Sequence, residues 1–375
     1  MSIYLDYNAT TPVCAEAREA ILPFLDREFG NPSSDYPAGR RSKAAIEEAR
    51  IAVAEFIGAR DDEIVFTGCA TESNNMAVKG VAWALAGKGR HIVTTAVEHP
   101  SVTNAVLNLL ENGFTADFVG VDKGGMVSPE AVYAAIRPDT VLVSVMLANN
   151  ETGSMQPVAG IGVVCRKLGV LFHVDAAQAV GKIPVDVNGI NADLLTVAGH
   201  KVYAPKGVGA LYVRKGVTLA PLFHGGGQER GFRAGTENAA FIAGLGAACR
   251  AASNGLEAET TRVCGLRDRF HDSLCAAVPG LHLNGDILYR LPNTLNVSFP
   301  KVSGAELLAA APEIMASTGA ACHVGGAVSH VLAAMGLSRE RAMGAVRLSL
   351  GRYTTDDEID RAAEILARAW RVLTE

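Results

Sequence analysis

The feature that most constrains this chain is a rhythm. Between residues 63 and 213 short apolar runs alternate with helical segments, and polar residues recur at the same end of each run. The runs are 64–67, 91–96, 114–121, 141–147, 170–174 and 194–197, with 209–213 pairing back beside the last. Such alternation predicts an α/β fold built on a mostly parallel sheet covered on both faces. In an open parallel sheet a ligand sits beyond the carboxyl ends of the strands, so residues just after successive strands converge on one crevice. Thr71, His99, Asn150, Asp175 with Gln178, and His200 with Lys201 hold those positions. Each alone has an ordinary reading as a helix cap, a turn residue or a solvated loop side chain. Five strand ends converging argue for one site.

The flanks of the sheet read as follows. Ile3, Tyr4 and Leu5 are strand-like, and 6–12 suits a loop. Helical spacing is expected over 15–29, with Ala17, Ile21, Leu22 and Leu25 on one face, and again over 40–58, with Ala44, Ala45, Ile51, Ala52 and Phe56 on its face. Residues 30–34 make a turn between them, and Gly58 is a helix stop. A second helix-rich pattern follows the sheet: a helix over 257–277, strands near 281–283 and 294–299, a helix from Gly304 and a last helix over 356–373. A chain of 375 residues that is 49% hydrophobic is long enough for two cores. The expected division is a large domain of residues 15–255 and a smaller α+β domain made of 1–14 and 256–375.

Composition narrows the partners. A net charge of -5 without a basic stripe argues against nucleic acid or a membrane surface. The seven cysteines are odd in number, scattered and never spaced as Cys-x-x-Cys, which argues against a disulfide framework and against a zinc or iron–sulfur ligand set. Reduced thiols suit a cytoplasmic protein. The N-terminus lacks a basic region followed by an apolar stretch, and no 18-residue apolar span occurs, so neither export nor membrane insertion is expected.

Lys201 sets the chemistry. An amine at a strand exit, its pKa lowered by burial and by neighbouring cations, condenses with an aldehyde at neutral pH. Gly68, Ala70 and the Thr71 hydroxyl, at a helix start, offer backbone amides and a positive dipole end to a phosphate. Asp175 would face a ring nitrogen, His99 would lie over the ring, and Asn150 and Gln178 would hold a ring hydroxyl. The set asks for a flat aromatic aldehyde carrying a phosphate, which describes pyridoxal 5'-phosphate. A dinucleotide is the competing ligand, but no Gly-x-Gly-x-x-Gly follows the first strand of the sheet and no Walker loop occurs.

The motifs at 4–12, 70–75 (Ala-Thr-Glu-Ser-Asn-Asn), 98–99 (Glu-His), 149–153 (Asn-Asn-Glu-Thr-Gly), 173–178 (His-Val-Asp-Ala-Ala-Gln) and 199–201 (Gly-His-Lys) resemble the cysteine desulfurases of the class V aminotransferase family. So do 225–230 and 233–238, and the resemblance covers nearly the whole chain. It implies fold type I, with a mostly parallel seven-stranded sheet in the large domain. It implies a homodimer in which Thr236 reaches the cofactor phosphate of the partner subunit. Ala70, Thr71, His99, Asn150, Asp175, Gln178, His200, Lys201 and Thr236 match the family's cofactor-binding positions, and Asn31 and Arg347 its substrate-binding ones. Lys201, His99 and Cys322 match the catalytic ones. Cys322 sits in a stretch of glycines and small residues, 316–326, that reads as a loop. In the family the matching cysteine attacks the substrate sulfur or selenium, keeps it as a persulfide and releases alanine. His323 beside it is placed to lower a thiol pKa. Arg347 is the candidate two-point clamp for the substrate carboxylate.

Two departures stand out. Ala198 replaces a phosphate-contacting serine, so phosphate binding is expected to lean on Thr71, His200 and Thr236. The catalytic loop, together with 291–294 and 345–352, is more similar to the selenocysteine lyases. L-cysteine and L-selenocysteine therefore both stand as substrates. Two other readings stay open: an aminotransferase or lyase on the same scaffold that does not use the thiol, and a sulfur-relay partner without turnover. The acceptor protein, whether in iron–sulfur cluster assembly, tRNA thiolation or selenium recycling, is not legible.

Overall fold

The structure, a computed structural model, describes residues 2–318 and 328–375. Its strands are β1 (Ile3–Tyr4), β2 (Ile64–Thr67), β3 (His91–Thr95), β4 (Thr115–Val119), β5 (Thr140–Met146), β6 (Leu171–Asp175), β7 (Leu194–Ala198), β8 (Gly209–Val213), β9 (His282–Leu283), β10 (Thr294–Ser298), β11 (Ile314–Met315) and β12 (Ala345–Ser349). Seven of them form one sheet in the order β2-β8-β7-β6-β5-β3-β4. β3 to β7 pair in parallel, and β8 runs antiparallel to β7 and β2. The mostly parallel seven-stranded sheet is therefore present.

Side-chain alternation explains why these runs read as almost uniformly apolar. Ile92, Leu142 and Leu194 pack on one face with Met76, Val81, Val102 and Leu109 from the helices Ala70–Ala84 and Pro100–Leu110. Their neighbours Val93, Val143 and Leu195 pack on the other with Ile46, Val53, Ile161 and Leu245 from the helices Pro37–Phe56, Val158–Leu168 and Ala239–Ser253. Consecutive residues of a strand point to opposite faces, so a doubly covered strand must be apolar at every position. Only β4, at the sheet edge, keeps exposed polar residues such as Thr115.

A second core lies outside this sheet. Val297, Leu295, Val346 and Leu348 of the antiparallel sheet β12-β10-β9 pack against Phe270 and Leu274 of the helix Leu256–Ala277. Ile359 and Leu366 of the helix Asp356–Thr374 complete it, and that helix opens on a reciprocal cap between Thr355 and Glu358. The N-terminal segment joins the two cores: Ile3 and Leu5 belong to this one, Tyr7 to the larger one.

Several expectations need correcting. The helix expected over 15–29 breaks into Ala15–Ile21 and Pro23–Asp26, since Pro23 has no N–H to donate. Ala17 and Ile21 are buried as expected, but Leu22 is 53% and Leu25 61% exposed. The next helix starts earlier, at Pro37, and its buried stripe is Ile46, Ala49 and Val53, leaving Ala44 and Ile51 exposed. The helices Val158–Leu168 and Ala239–Ser253 are absent from the sequence reading. The second is so uniformly small and apolar that no polar face marks its period, and ten of its residues are buried. No helix among the described residues is long and apolar enough to cross a membrane.

Candidate active site

The carboxyl ends of β3, β5, β6 and β7 supply the site. β6 ends on Asp175, 5% exposed, whose Oδ1 accepts from the Ala177 N–H at 2.9 Å. β7 ends on Ala198 and turns at once through Gly199–Lys201. Only glycine fits at 199, because a Cβ there would lie 2.6 Å from the Val208 carbonyl oxygen. After β5, Asn149 folds a turn by accepting at Oδ1 from the N–H groups of Glu151 and Thr152, at 2.8 and 3.0 Å, and so presents Asn150. After β3, His99 caps the helix that opens at Pro100.

Electrostatics distinguish these groups. Burial, with Arg347 adding to it and Asp175 and Asp6 opposing, pushes the Lys201 amine down to about 8. That is the lowering the sequence asks for, with one cation, Arg347, contributing. Burial also lowers His99, against the pull of Asp175. The Ser101 N–H donates to His99 Nδ1 at 3.1 Å, so the proton of the neutral ring sits on Nε2. His200 is pushed down to about 4, by burial and then by Lys201 and Lys206, and its Nδ1 lies 3.2 Å from Thr10 Oγ1. It meets a ligand as a neutral imidazole.

The structure adds a hub that sequence reasoning passed over. Asn8, within a segment read as loop, accepts at Oδ1 from Lys182 Nζ (2.8 Å) and Asn293 Nδ2 (3.0 Å) and donates from Nδ2 to Thr294 Oγ1 (2.8 Å). Gln178 donates from Nε2 to the Asn8 carbonyl at 3.0 Å and accepts at Oε1 from Lys182 at 2.7 Å. Burial holds the Lys182 amine well below its ordinary value, with Lys201 and Arg347 adding to the effect. The one sequence signal for Lys182 is its spacing four residues after Gln178. Asp6 is likewise unforeseen. Arg347 donates from Nη2 to Asp6 Oδ1 at 2.7 Å and from Nη1 to the Asn150 carbonyl at 3.0 Å, while its buried Nε has no partner among the described residues. Burial raises the Asp6 carboxyl, opposed by Arg347 and Lys201. Arg347 thus lies beside Asn150, with its Nε N–H unused among the described residues.

Other expected residues lie apart from this cluster. Ala70 and Thr71 open the helix Ala70–Ala84, whose first N–H groups have no acceptor within the helix. The Gly68 amide, expected to face a phosphate, instead donates to Glu72 Oε2 at 2.8 Å, and Glu72 Oε1 accepts from Arg233 Nε at 2.9 Å. Thr236 is exposed and lines a cavity of about 170 Å³ with Gly68 and Arg233. No hydrogen bond among the described residues joins Thr236 to Lys201, Asp175 or His99 of its own chain. Asn31 is exposed and accepts from the Ser33 N–H at 2.9 Å within its own turn. Cys322 and His323 lie outside the described residues. The chain on either side of 319–327 is tied to the site: Arg347 N donates to the Ser317 carbonyl (2.6 Å), Ser329 Oγ to Glu151 Oε2 (2.5 Å), and His330 Nε2 to the Glu98 carbonyl (3.1 Å).

The residues fit pyridoxal 5'-phosphate. An amine lowered to about 8, a buried carboxylate able to accept from a cationic ring nitrogen, and the open N–H groups of a 15-residue helix suit an aldehyde, a pyridine ring and a phosphate in turn.

Comparison with known proteins gives the family. The family model described as Aminotransferase class-V matches residues 3–362. A protein named cysteine desulfurase IscS from Methanosarcina thermophila is 46% identical over 368 residues, covering 97% of this chain and 91% of that one. A cysteine desulfurase from Nostoc sp. is 46% identical over 367 residues, covering 97% of this chain and 92% of its own length. A solved structure described as a NifS-like protein superposes with a TM-score of 0.92 at 38% identity, covering the whole of both chains. One described as SspA in complex with cysteine superposes at 0.84 and 36% identity, covering 94% of this chain and all of that one. The chain belongs to the class V aminotransferases and, within them, to the cysteine desulfurases.

Proposed function

We propose that this chain is a pyridoxal 5'-phosphate-dependent cysteine desulfurase that converts L-cysteine to L-alanine and keeps the sulfur as a persulfide on Cys322. The observation that carries the reading is the Lys201 amine, lowered to about 8, with the buried carboxylate of Asp175 near enough to act on it. When bound, the cofactor supplies an electron sink next to the substrate α-carbon. Asp175 would accept from its ring nitrogen, the open amides at Ala70 and Thr71 with the Thr71 hydroxyl would hold its phosphate, and neutral His200 would donate there. Asn150 and Gln178 would hold the ring hydroxyl, with Gln178 kept in one orientation by Lys182 and Asn8.

Lys201, half-neutral near pH 8, is suited to take up and return a proton. His99 offers a donor at Nε2 over the ring. The Arg347 guanidinium, with Nε unpartnered, would meet a substrate carboxylate, with Asn31 as a second contact. Cys322 would attack the substrate sulfur as a thiolate, forming a sulfur–sulfur bond as the carbon–sulfur bond breaks, the electron pair passing to carbon.

We further assign a homodimer in which Thr236 completes the partner's phosphate site, and the domain division 15–255 against 1–14 with 256–375. The separate cores support the boundary near 255, with Tyr7, Cys14 and Leu291 packing across into the larger core. A cytoplasmic location and a protein acceptor of the sulfur accord with this reading. Alanine release from L-cysteine and L-selenocysteine by wild type and Cys322→Ala, with mass spectrometry of Cys322, tests it. Full activity of the variant on cysteine removes Cys322 as nucleophile, and faster turnover of selenocysteine makes the chain a selenocysteine lyase.

A further inference from the structure

Asn74 has no part in the site described so far. It sits in the first turns of the helix Ala70–Ala84 and is 1% exposed. Its Nδ2 donates twice, to Asp175 Oδ2 at 2.7 Å and to Ser101 Oγ at 2.8 Å. An ionised carboxylate only accepts, so the amide can meet Asp175 only through its nitrogen. Both amide protons are then committed, and Asn74 Oδ1 is left buried with no partner among the described residues. Buried amide oxygens are rarely left so, because their lost hydration is not repaid. The orientation is held by what the nitrogen does.

The chain of donors continues past Ser101. Having accepted from Asn74, the Ser101 hydroxyl lies 2.8 Å from His99 Nδ1, which already receives the Ser101 N–H. That nitrogen carries no proton, so the hydroxyl must donate to it. One directed series therefore links the Asp175 carboxylate, the Asn74 amide, the Ser101 hydroxyl and the His99 ring. Asp175 Oδ1 is fixed separately by the Ala177 N–H, so Asn74 is what fixes Oδ2.

We propose that Asn74 is a positioning residue for cofactor binding: it locks the Asp175 carboxylate in place through its hydrogen bond to Oδ2, and couples it to His99 through Ser101. The inference rests on the reading of Asp175 and His99 as cofactor contacts. The charges around this series are Lys201, His330 and Glu98, with Arg347 and Asp6 acting on Lys201.

The test compares wild type with Asn74→Ala, which removes the amide, and Asn74→Leu, which keeps the bulk without a donor. Two quantities are read on refolded or as-purified holoenzyme: the midpoint of the visible absorbance titration between pH 6 and 10, and pyridoxal 5'-phosphate affinity of the stripped protein by equilibrium dialysis. Both variants are expected to bind about tenfold more weakly, the loss of one charge-assisted hydrogen bond. The midpoint is expected to shift from the wild-type value, because a carboxylate no longer held in place by Asn74 meets the ring nitrogen differently. Wild-type affinity and midpoint in both variants, with only a lower melting temperature, would reduce Asn74 to packing and overturn the proposal. Ser101→Ala guards against misfolding of the Asn74 variants. It leaves the Asn74 to Asp175 bond in place and is expected to keep wild-type affinity while shifting the midpoint less, and a tenfold loss of affinity there contradicts the assignment to Asn74. Wild-type protein that takes up no cofactor would instead overturn the functional reading itself.

Discussion

Lys201 shows what a single residue gains from its place. With its amine lowered to about 8, roughly one tenth of it is neutral at pH 7, against a negligible fraction for a solvated lysine. The rate at which the stripped enzyme captures pyridoxal 5'-phosphate is therefore expected to rise with pH through a midpoint near 8, and Lys201→Ala is expected to abolish covalent capture. Stopped-flow absorbance measures both. The same depression acts on stability. Below pH 8 the amine is charged in folded and unfolded chains alike, and the folded one bears the burial penalty. Between about 8 and the ordinary lysine range only the unfolded chain binds the proton, so stability gains as pH rises through that window. Lys182 is a second residue-scale case. Replacing it by Met leaves Gln178 Oε1 without its donor, and urea denaturation is expected to show a loss of about 1–3 kcal/mol. The positions of Lys201 and Asp175 were legible because each lies at the carboxyl end of a strand, where position alone implies a crevice. Lys182, Asp6, Asn8 and Asn74 were not, since each acts through a partner distant in sequence: Asn8 lies 174 residues from Lys182 and Asn74 101 from Asp175.

Among the elements, the loop ahead of the helix Ala239–Ser253 is held beside the sheet by an ion pair to the helix Pro37–Phe56. Arg50 grips Glu229 with two bonds of 2.8 Å, Glu229 Oε2 also accepts from the Phe66 N–H at 2.8 Å, and both side chains are nearly inaccessible. Glu229 adopts the left-handed region, with φ +47°, to reach it. Glu229→Ala leaves the buried Arg50 guanidinium with only Glu47 and the Ile64 carbonyl as partners, and a loss of about 1–3 kcal/mol is expected in chemical denaturation. The helices Pro37–Phe56 and Ala239–Ser253 cross where a Cβ on Gly246 would stand 2.6 Å from Ala49 Cα. Gly246→Val is expected to destabilise by about 1–3 kcal/mol through overpacking, read as a lower melting temperature. Most strands were legible within a residue or two, since a doubly covered strand is continuously apolar. The helix Ala239–Ser253 was not, because burial on all sides erases the polar face from which a period is read. The early break at Leu22 was signalled by Pro23 but masked by the apolar residues that continue beyond it.

For the molecule as a whole, Asn8 connects the two cores, accepting from Lys182 beside the large sheet and from Asn293 beside the small one. Asn8→Ala is expected to lower cofactor affinity and to separate thermal unfolding into two transitions, which calorimetry resolves. Sedimentation equilibrium is expected to give twice the chain mass of 39.2 kDa. By itself the sequence determined the sheet, the strand ends at which the candidate site lies and the amine among them, because period, punctuation and residue type are local quantities. Which amide orients which carboxylate, which arginine is already paired and which glycine amide is taken were decided by the tertiary structure, because a hydrogen bond between distant segments leaves no mark in the spacing of either.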